Sequence, residues 1–373
     1  MNLAELFCPN IACPARGQQG QGNIGVHSQK ERRCICNVCG QTFATTKGTL
    51  FYRLRTDPKI VIMVITLLVY GCPVQAIVQA FALDERTVKN WWQRAGSHCA
   101  AVHEHTVGQS QLDLGQVQAD EIKVKVQGGS IWMAFAMMVP TRLWLGGALS
   151  RHRDKKLIQT VVAKVRAVAL CRPLLFAVDG LPSYVTAFRS AFRSPLPRRG
   201  QAGRPRLIAW PEMAIVQVVK QRAVKGGQIR RRIVQGGAEL VTKLIDQTQG
   251  GGGINTAYIE RLNATFRQCL PWLTRRTRTL AQQSATLAAA MYTRGCVYNF
   301  CDYHQSLRLR LSVGEHDFRW VQRTPALAAG LTDHRWTVGE LLSFKVPPAP
   351  WQPPKRRGRP SQATLRLIER WCP

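Results

Sequence analysis

Hydrophobic positions change period several times along this chain, and each change predicts an element. Over 58–70, 74–81 and 85–95 apolar residues recur at helical spacing, predicting three helices, the last two joined by a short turn with Asp84 as N-cap. Over 116–126 the pattern alternates from Ile122 onward as in a strand, with Asp120 at its centre and Glu121 on the opposite face. Two more strands, 130–139 and 143–149, flank Pro140-Thr141-Arg142, so the three predict an antiparallel meander. Asp154 then caps a helix over 155–170, which leads to the continuously apolar run 174–178, bounded by Pro173 and Gly180. Such a run predicts a strand buried on both faces, and strand, helix, parallel strand is the right-handed crossover of a mixed α/β sheet. Asp179 falls at that strand's carboxyl end, the edge where open α/β sheets bind ligands, though Asp before Gly is also an ordinary turn or cap residue. Gly180 and Pro182 turn the chain into another helix.

Downstream, 214–219 predicts a further strand, and Lys225-Gly226-Gly227 a hairpin turn into 228–234, whose Arg230, Arg231 and Arg232 suggest a DNA-facing ribbon. Residues 198–206 read as a basic loop, and Gly250 to Gly253 as a joint or a plain linker. Over 255–270, Ile259, Leu262, Phe266 and Leu270 form one helical stripe, leaving Glu260, Asn263, Ala264 and Arg267 on a different face. A last helix is predicted over 280–298, and the tail from Val346 is Pro-rich and predicted to be disordered.

Charge narrows the partner. Lys and Arg number 52 against 21 Asp and Glu, a net +31 spread through every segment, which repels a compact monomer from itself and attracts a polyanion. Nucleic acid fits better than an anionic membrane, because the basic residues do not gather on one amphipathic helix. No basic start and apolar core precede Phe7, and the longest apolar run, 60–70, is too short to span a bilayer. The twelve cysteines are mostly scattered, as in a reducing cytosol, except for one cluster. Cys8 with Cys13 and Cys36 with Cys39 predict the two knuckles of a zinc ribbon, with Gly40 permitting a tight turn and Phe43 covering the site. Cys34 rivals Cys36, and buried thiols without metal are the alternative.

In the helix 85–95, Val88, Trp91, Trp92 and Ala95 face a core, leaving Arg86, Lys89, Asn90 and Gln93 on the face of a DNA-recognition helix, or on the solvated face of a plain three-helix bundle. Residues 96–115 read as a linker. Arg151-His152-Arg153 read as an exposed basic turn or a phosphate contact, and Lys355-Arg-Arg-Gly-Arg-Pro360 as an AT-hook core in which Arg357 and Arg359 enter a narrow minor groove, or as a chance basic run.

Three motifs occur in one order: Ala-Asp-Glu at 119–121, Val-Asp-Gly-Leu-Pro-Ser-Tyr at 178–184 and Tyr-Ile-Glu-Arg-Leu-Asn-Ala-Thr-Phe-Arg-Gln at 258–268. Together they resemble the DDE transposases of bacterial insertion sequences, closest to the insertion-sequence-one type. The resemblance spans 116–310, where Tyr298 to Arg308 resembles the stretch ending the catalytic domain, and it implies an RNase H-like mixed sheet with flanking helices. It also implies a zinc ribbon at 1–56, an all-α helix-turn-helix domain at 57–98, a linker at 99–115 and a C-terminal extension at 311–373. By that resemblance Asp120 bridges two Mg²⁺ or Mn²⁺ ions, Asp179 holds one and Glu260 the other, while Arg267, with Asn263 on its face, meets DNA. The partners implied are element ends and target DNA, with a homodimer or larger assembly on DNA in a prokaryotic cytoplasm. The spacer 190–253 is longer than in compact members. His304 reads as a packing or phosphate residue more readily than as a base, because metal-bound water needs no separate histidine. A DNA-binding regulator and a transposase that binds but cannot cut are the rival readings.

Overall fold

Three short strands open the ordered chain: β1 (Ile24–Ser28), β2 (Arg33–Cys36) and β3 (Thr42–Ala44), an antiparallel sheet in sequence order. The structure is a computed structural model describing residues 2–196, 203–221, 228–277, 279–281, 283–314, 317–353, 358 and 360–372. It divides into two units, Met1–Ile62 with Leu342–Pro373, and Met63–Leu341.

The first unit is too small to close a core from its amino-terminal residues alone. Leu6, Ala15, Ile24 and Phe43 pack with the buried cysteines, and Trp371, only 4% exposed, completes the cluster from the other end of the chain. Trp371 ends a helix, Gln362–Trp371, which Ser361 caps by accepting from the Thr364 amide and which Gln18 Nε2 meets at the Trp371 carbonyl, 3.1 Å away. The expectation of a disordered tail from Val346 is therefore corrected for these residues. A small metal-binding fold needs apolar surface from elsewhere, and the Pro-rich segment is the strap that brings it. Gly17 marks the close approach: at φ +74° it is left-handed, and a Cβ there would lie 2.5 Å from the Pro348 carbonyl oxygen. The AT-hook residues Arg357 and Arg359 lie outside the described residues.

Next in the chain come the helices α1 (Pro58–Val69), α2 (Val74–Phe81) and α3 (Glu85–His103), the last two within the second unit, which also holds a six-stranded sheet. Asp84 caps α3 as its position predicts, accepting from the Arg86 and Thr87 amides. The predicted linker 96–115 is corrected: α3 runs on to His103 and continues as a π-helical turn to Gly108. Cys99, Val102 and Val107 extend its apolar stripe, and Gly96 lets it close on a later helix, α8, since a Cβ there would strike Ala289.

The sheet contains β4 (Gln116–Val126), β5 (Gly129–Met138), β6 (Trp144–Ser150), β7 (Leu174–Asp179), β10 (Met213–Gln221) and β11 (Gln228–Gln235), while β8 (Arg193–Pro195) and β9 (Leu207–Ala209) form a separate short ribbon. The strand order is β11-β10-β7-β4-β5-β6. β4, β5 and β6 are the predicted meander, β7 runs parallel to both β4 and β10, and β11 returns antiparallel. The fold is thus a mixed α/β sheet with flanking helices, α4 (Lys155–Val168) and α5 (Pro182–Ala191) arriving before and after β7. Both faces of β7 are covered. Phe176 stacks on Phe188 of α5 at 3.8 Å, while Leu175 and Ala177 pack with Val241, Leu244 and Ile245 of α6 (Ala238–Gln249), a helix the sequence pattern did not predict. The spacer thus supplies β10, β11 and α6 to the main sheet. Lys225, Gly226 and Gly227 and residues 197–202 fall outside the described residues.

The remaining elements are α7 (Ala257–Cys269), α8 (Ser284–Cys296) with a π-helical turn to Cys301, and an isolated hairpin of β12 (Leu309–Ser312) and β13 (Phe318–Val321). Among the described residues no helix is long and apolar enough to cross a membrane.

Trp371→Ala should destabilise the first unit by about 3–5 kcal/mol, the cost of emptying a buried aromatic site. Thermal unfolding followed with zinc release reads this. Leu365→Ala, at an exposed position of the same helix, should leave both unchanged.

Candidate metal centre

Parallel pairing of β4 and β7 runs from Gln116 opposite Leu175 to Ala119 opposite Val178 and stops there. The next residue on each strand is an aspartate, so Asp120 and Asp179 stand side by side where β7 leaves the sheet. Asp179 Oδ1 accepts from the Leu181 amide at 2.9 Å, so it does serve as the cap of the following turn. Its Oδ2 remains available and takes Arg153 at 2.7 Å. Both readings of Asp179 describe one residue, because a carboxylate has two oxygens.

Glu121 departs from expectation. Alternation was expected to turn it away, yet ligand atoms of Asp120, Glu121 and Asp179 all lie within 4.8 Å of one another. The reason is the end of β7: beyond Val178 the β7 side of β4 is unpaired while β5 still pairs on the other, so Asp179 reaches carboxylates from both faces. Arg153 bridges the result, its Nη2 lying 2.9 Å from Glu121 Oε2 and 2.7 Å from Asp179 Oδ2. The basic turn is exposed as predicted, and at Arg153 it also serves as a counter-ion held over Trp132. The sequence signal was its place at a strand end directly before the Asp154 cap, facing the same sheet edge.

Burial pushes the Asp120 carboxyl up to about 6, with Asp179 and Glu260 adding to it and Arg267 opposing. Burial likewise pushes Glu121 up to about 7, with Asp179 adding and Arg153 opposing. Glu121 Oε1 is buried without a hydrogen-bond partner among the described residues, as is the hydroxyl of Tyr184 on α5. Tyr184 is raised well above its usual range by burial and by the same three carboxylates. The sequence motif contained this tyrosine without giving it a role. A buried carboxylate oxygen lacking a partner, among hard oxygen donors, fits Mg²⁺ or Mn²⁺.

The third acid of the resemblance sits apart from this cluster. Glu260 lies on the first turn of α7, about half exposed, with Oε1 taking Lys220 at 2.6 Å and Thr256 at 2.7 Å. Burial acts upward on it, but Lys220 and Thr256 hold it below the ordinary range. Its helix is nevertheless fixed to the centre. Buried Gln118 of β4 accepts from the Ile259 amide at 3.0 Å and donates to the Asn255 carbonyl at 2.9 Å, and Asn263 Nδ2 donates to Asp120 Oδ2 at 2.8 Å. Asn263, predicted to meet DNA, is 1% exposed and turned to Asp120 instead. Arg267 is half-buried, and burial and Arg275 lower it while Asp120 supports its charge.

The other predicted contacts are dispersed. Arg86, Lys89 and Asn90 are exposed on α3, where Lys89 pairs with Glu85 at 2.6 Å, whereas Gln93 is half-buried and bonded to Thr286 of α8 at 3.1 Å. Arg230 is exposed on the edge strand β11, opposite Val219, but Arg232 turns back to Gln217, whose own amide holds the Asp179 carbonyl at 3.1 Å. His304 bonds Ser306 through Nδ1 at 3.0 Å, and burial, then Arg142 and Arg261, lower its pKa.

In the first unit, ligand sulfurs of Cys8, Cys13, Cys36 and Cys39 all lie within 4.8 Å of one another, and Cys34 is outside the group. Cys8 and Cys39 are 3.6 Å apart and Cys13 and Cys36 3.8 Å. Thiolates around a tetrahedral ion at about 2.3 Å stand about 3.8 Å apart, so the spacing fits zinc. Burial pushes Cys13 up to about 12, while Cys39, against burial, is lowered to about 7 by Asn10, the Gln41 amide and Cys8.

No family model matches this chain, and no curated protein matches its sequence. Among solved structures it is similar to the cryo-EM structure of a simian T-cell lymphotropic virus intasome in complex with PP2A regulatory subunit B56 gamma, at 11% identity and a TM-score of 0.29 over 80% of each chain. That likeness is loose, and the functional reading rests on the residues themselves.

Asp120 and Glu121 make the bare centre sensitive to pH. Their folded pKa values lie above the unfolded range near 4, so between about pH 4 and 7 the folded chain binds more protons and stability falls as pH rises. Melting at about pH 5.5 and 7.5 should show this fall in wild type and a smaller one in Glu121→Gln. Added Mg²⁺ should offset it in wild type at the higher pH.

Proposed function

We propose that this chain is a DDE transposase of the insertion-sequence-one type, a DNA strand-cleaving and strand-joining enzyme with an RNase H-like catalytic domain. The observation that carries the proposal is the juxtaposition of Asp179, at the end of β7, with Asp120 inside the adjacent parallel strand β4, the Glu260 helix being tied to β4 by Gln118 and Asn263. An excess of 31 positive charges supports a nucleic-acid substrate.

Asp120, Asp179 and Glu260 would hold two divalent cations, which supply Lewis-acid activation of water and of the leaving oxygen when bound. The chain's own groups do the rest. Gln118 anchors the first turn of α7 and so limits how far Glu260 strays from Asp120. Lys220, paired with Glu260, and Arg267, whose charge Asp120 supports, place positive charge near the carboxylates, where a phosphodiester would sit. Arg153 balances Glu121 and Asp179 before substrate arrives, which keeps three close carboxylates in a folded site. The Cys8, Cys13, Cys36 and Cys39 unit is read as a structural zinc ribbon, and α1 to α3 as the helix-turn-helix that reads element ends through Arg86, Lys89 and Asn90. A homodimer or larger assembly on DNA follows from the need to bring two ends together.

Asp120→Asn, Asp179→Asn and Glu260→Gln should each abolish Mg²⁺-dependent cleavage and joining of the element's own ends while sparing end binding. Glu121→Gln should lower the rate about 10- to 100-fold, the usual cost of losing a group that orients a metal site. Wild-type protein that binds ends but cuts nothing in Mg²⁺ or Mn²⁺ would leave the DNA-binding regulator as the reading. Lys89→Ala should weaken binding to specific and random duplexes alike, and Asn90→Ala should weaken the specific duplex more, because base contacts discriminate and phosphate contacts do not. Competition binding on both duplexes reads the difference.

A further inference from the structure

Among the described residues the hairpin of β12 and β13 pairs with no other strand, and all of its strand residues except Val321 are exposed. Its register sets Arg310 opposite Trp320 and Ser312 opposite Phe318, so these four share one face. On that face Arg308 lies 4.0 Å over the Trp320 ring and Arg310 4.0 Å over the Phe318 ring, and the two rings meet edge to face at 5.7 Å. Trp320 remains 41% exposed and Phe318 46%. At the hairpin's base opens a cleft of about 570 Å³ lined, among the described residues, by Arg261, His304, Gln305, Ser306, Arg308 and Trp320, with no carboxylate among these.

We propose that this cleft and ladder bind an unpaired nucleotide of single-stranded DNA, its base stacked on Trp320 and its phosphate held by Arg261 and Arg308. Large aromatic planes exposed beside arginines are costly to a free surface and suited to nucleobases, whose π-faces accept stacking from a ring on one side and a guanidinium on the other. The cleft's volume and the cationic side chains described along it suit a nucleotide, while a duplex offers no free base face and would engage the arginines alone. Arg261 follows Glu260 directly on α7, so a strand held here passes beside the helix that carries that acid. The apolar residues Leu309 and Leu311 lie on the hairpin's opposite face and take no part. The inference stands on the hairpin and cleft, and failure of the metal-centre reading would leave it untouched.

The test is fluorescence anisotropy of the full zinc-loaded chain with short oligothymidylate and with an abasic oligomer of equal length, without added Mg²⁺. Wild type should prefer oligothymidylate by about 5- to 100-fold, the range of one base stacked on an aromatic ring. Trp320→Ala should remove most of that preference and Trp320→Phe should retain it, circular dichroism showing both variants folded. Arg261→Ala and Arg308→Ala should weaken both oligomers alike and each lower the salt slope by about 0.7. Equal wild-type affinity for the two oligomers overturns the proposal. So does a Trp320→Ala protein that keeps its preference but loses self-association, because the hairpin is then a contact between copies.

Discussion

Parallel pairing between β4 and β7 is the constraint from which the candidate centre follows. Hydrogen bonding fixes Ala119 against Val178, so the next residues can only be neighbours, and both are aspartates. Because β7 stops while β4 continues, the pair lies at an edge that both faces of β4 can reach. That is why Glu121 enters and why one cation, Arg153, can serve two strands at once. The covering on both sides of β7, by Phe188 and by Val241, Leu244 and Ile245, keeps this end from moving as its carboxylates repel.

Each carboxylate has its own form of restraint. Asp179 is half used as a backbone cap, Asp120 is held by the Asn263 amide, Glu121 by Arg153, and Glu260 by Lys220 and Thr256. None of these partners is a buried apolar wall alone, so each can exchange for a stronger positive charge at little structural cost. Glu260 is the most exposed and the most easily exchanged. It also sits on the only one of these elements that follows a run of consecutive glycines, Gly250 to Gly253, with Gly250, Gly251 and Gly252 all at positive φ. A joint of that kind permits small adjustments of α7, while Gln118 sets their limit.

Much of this frame was legible in the sequence because it depends on local period. The ranges of α1, α2, β4 and β7 follow from stripes and apolar runs, and the three acidic motifs fall on the elements predicted for them. What escaped notice depends on partners distant in sequence. Strand alternation correctly opposes Asp120 and Glu121, but where β7 ends is not a property of residues 116–126. Arg153 is exposed as read, and its role as a counter-ion escaped notice because its carboxylate partners come 32 positions before and 26 after it. The closing helix looked like disorder because its Pro-rich approach hid a ten-residue amphipathic segment whose one deep contact, Trp371, is with the opposite terminus.

The positive charge therefore divides into two populations with different consequences. Arg153, Lys220, Arg232 and Arg294 are paired within the chain, with Glu121 and Asp179, with Glu260, with Gln217 and with Asp302. Removing Arg153 leaves the buried Glu121 uncompensated, so its cost falls on the fold as well as on any ligand, whereas the half-exposed pair of Lys220 and Glu260 contributes little to the fold. Arg86, Arg230, Arg261, Arg308 and Arg310 are exposed, two of them stacked on aromatic rings. Their mutual repulsion is a standing cost to the isolated chain that salt screens and a polyanion reverses. Salt should consequently stabilise the free protein while weakening its complex with DNA, and that opposition follows from exposed charge that, among the described residues, no carboxylate pairs.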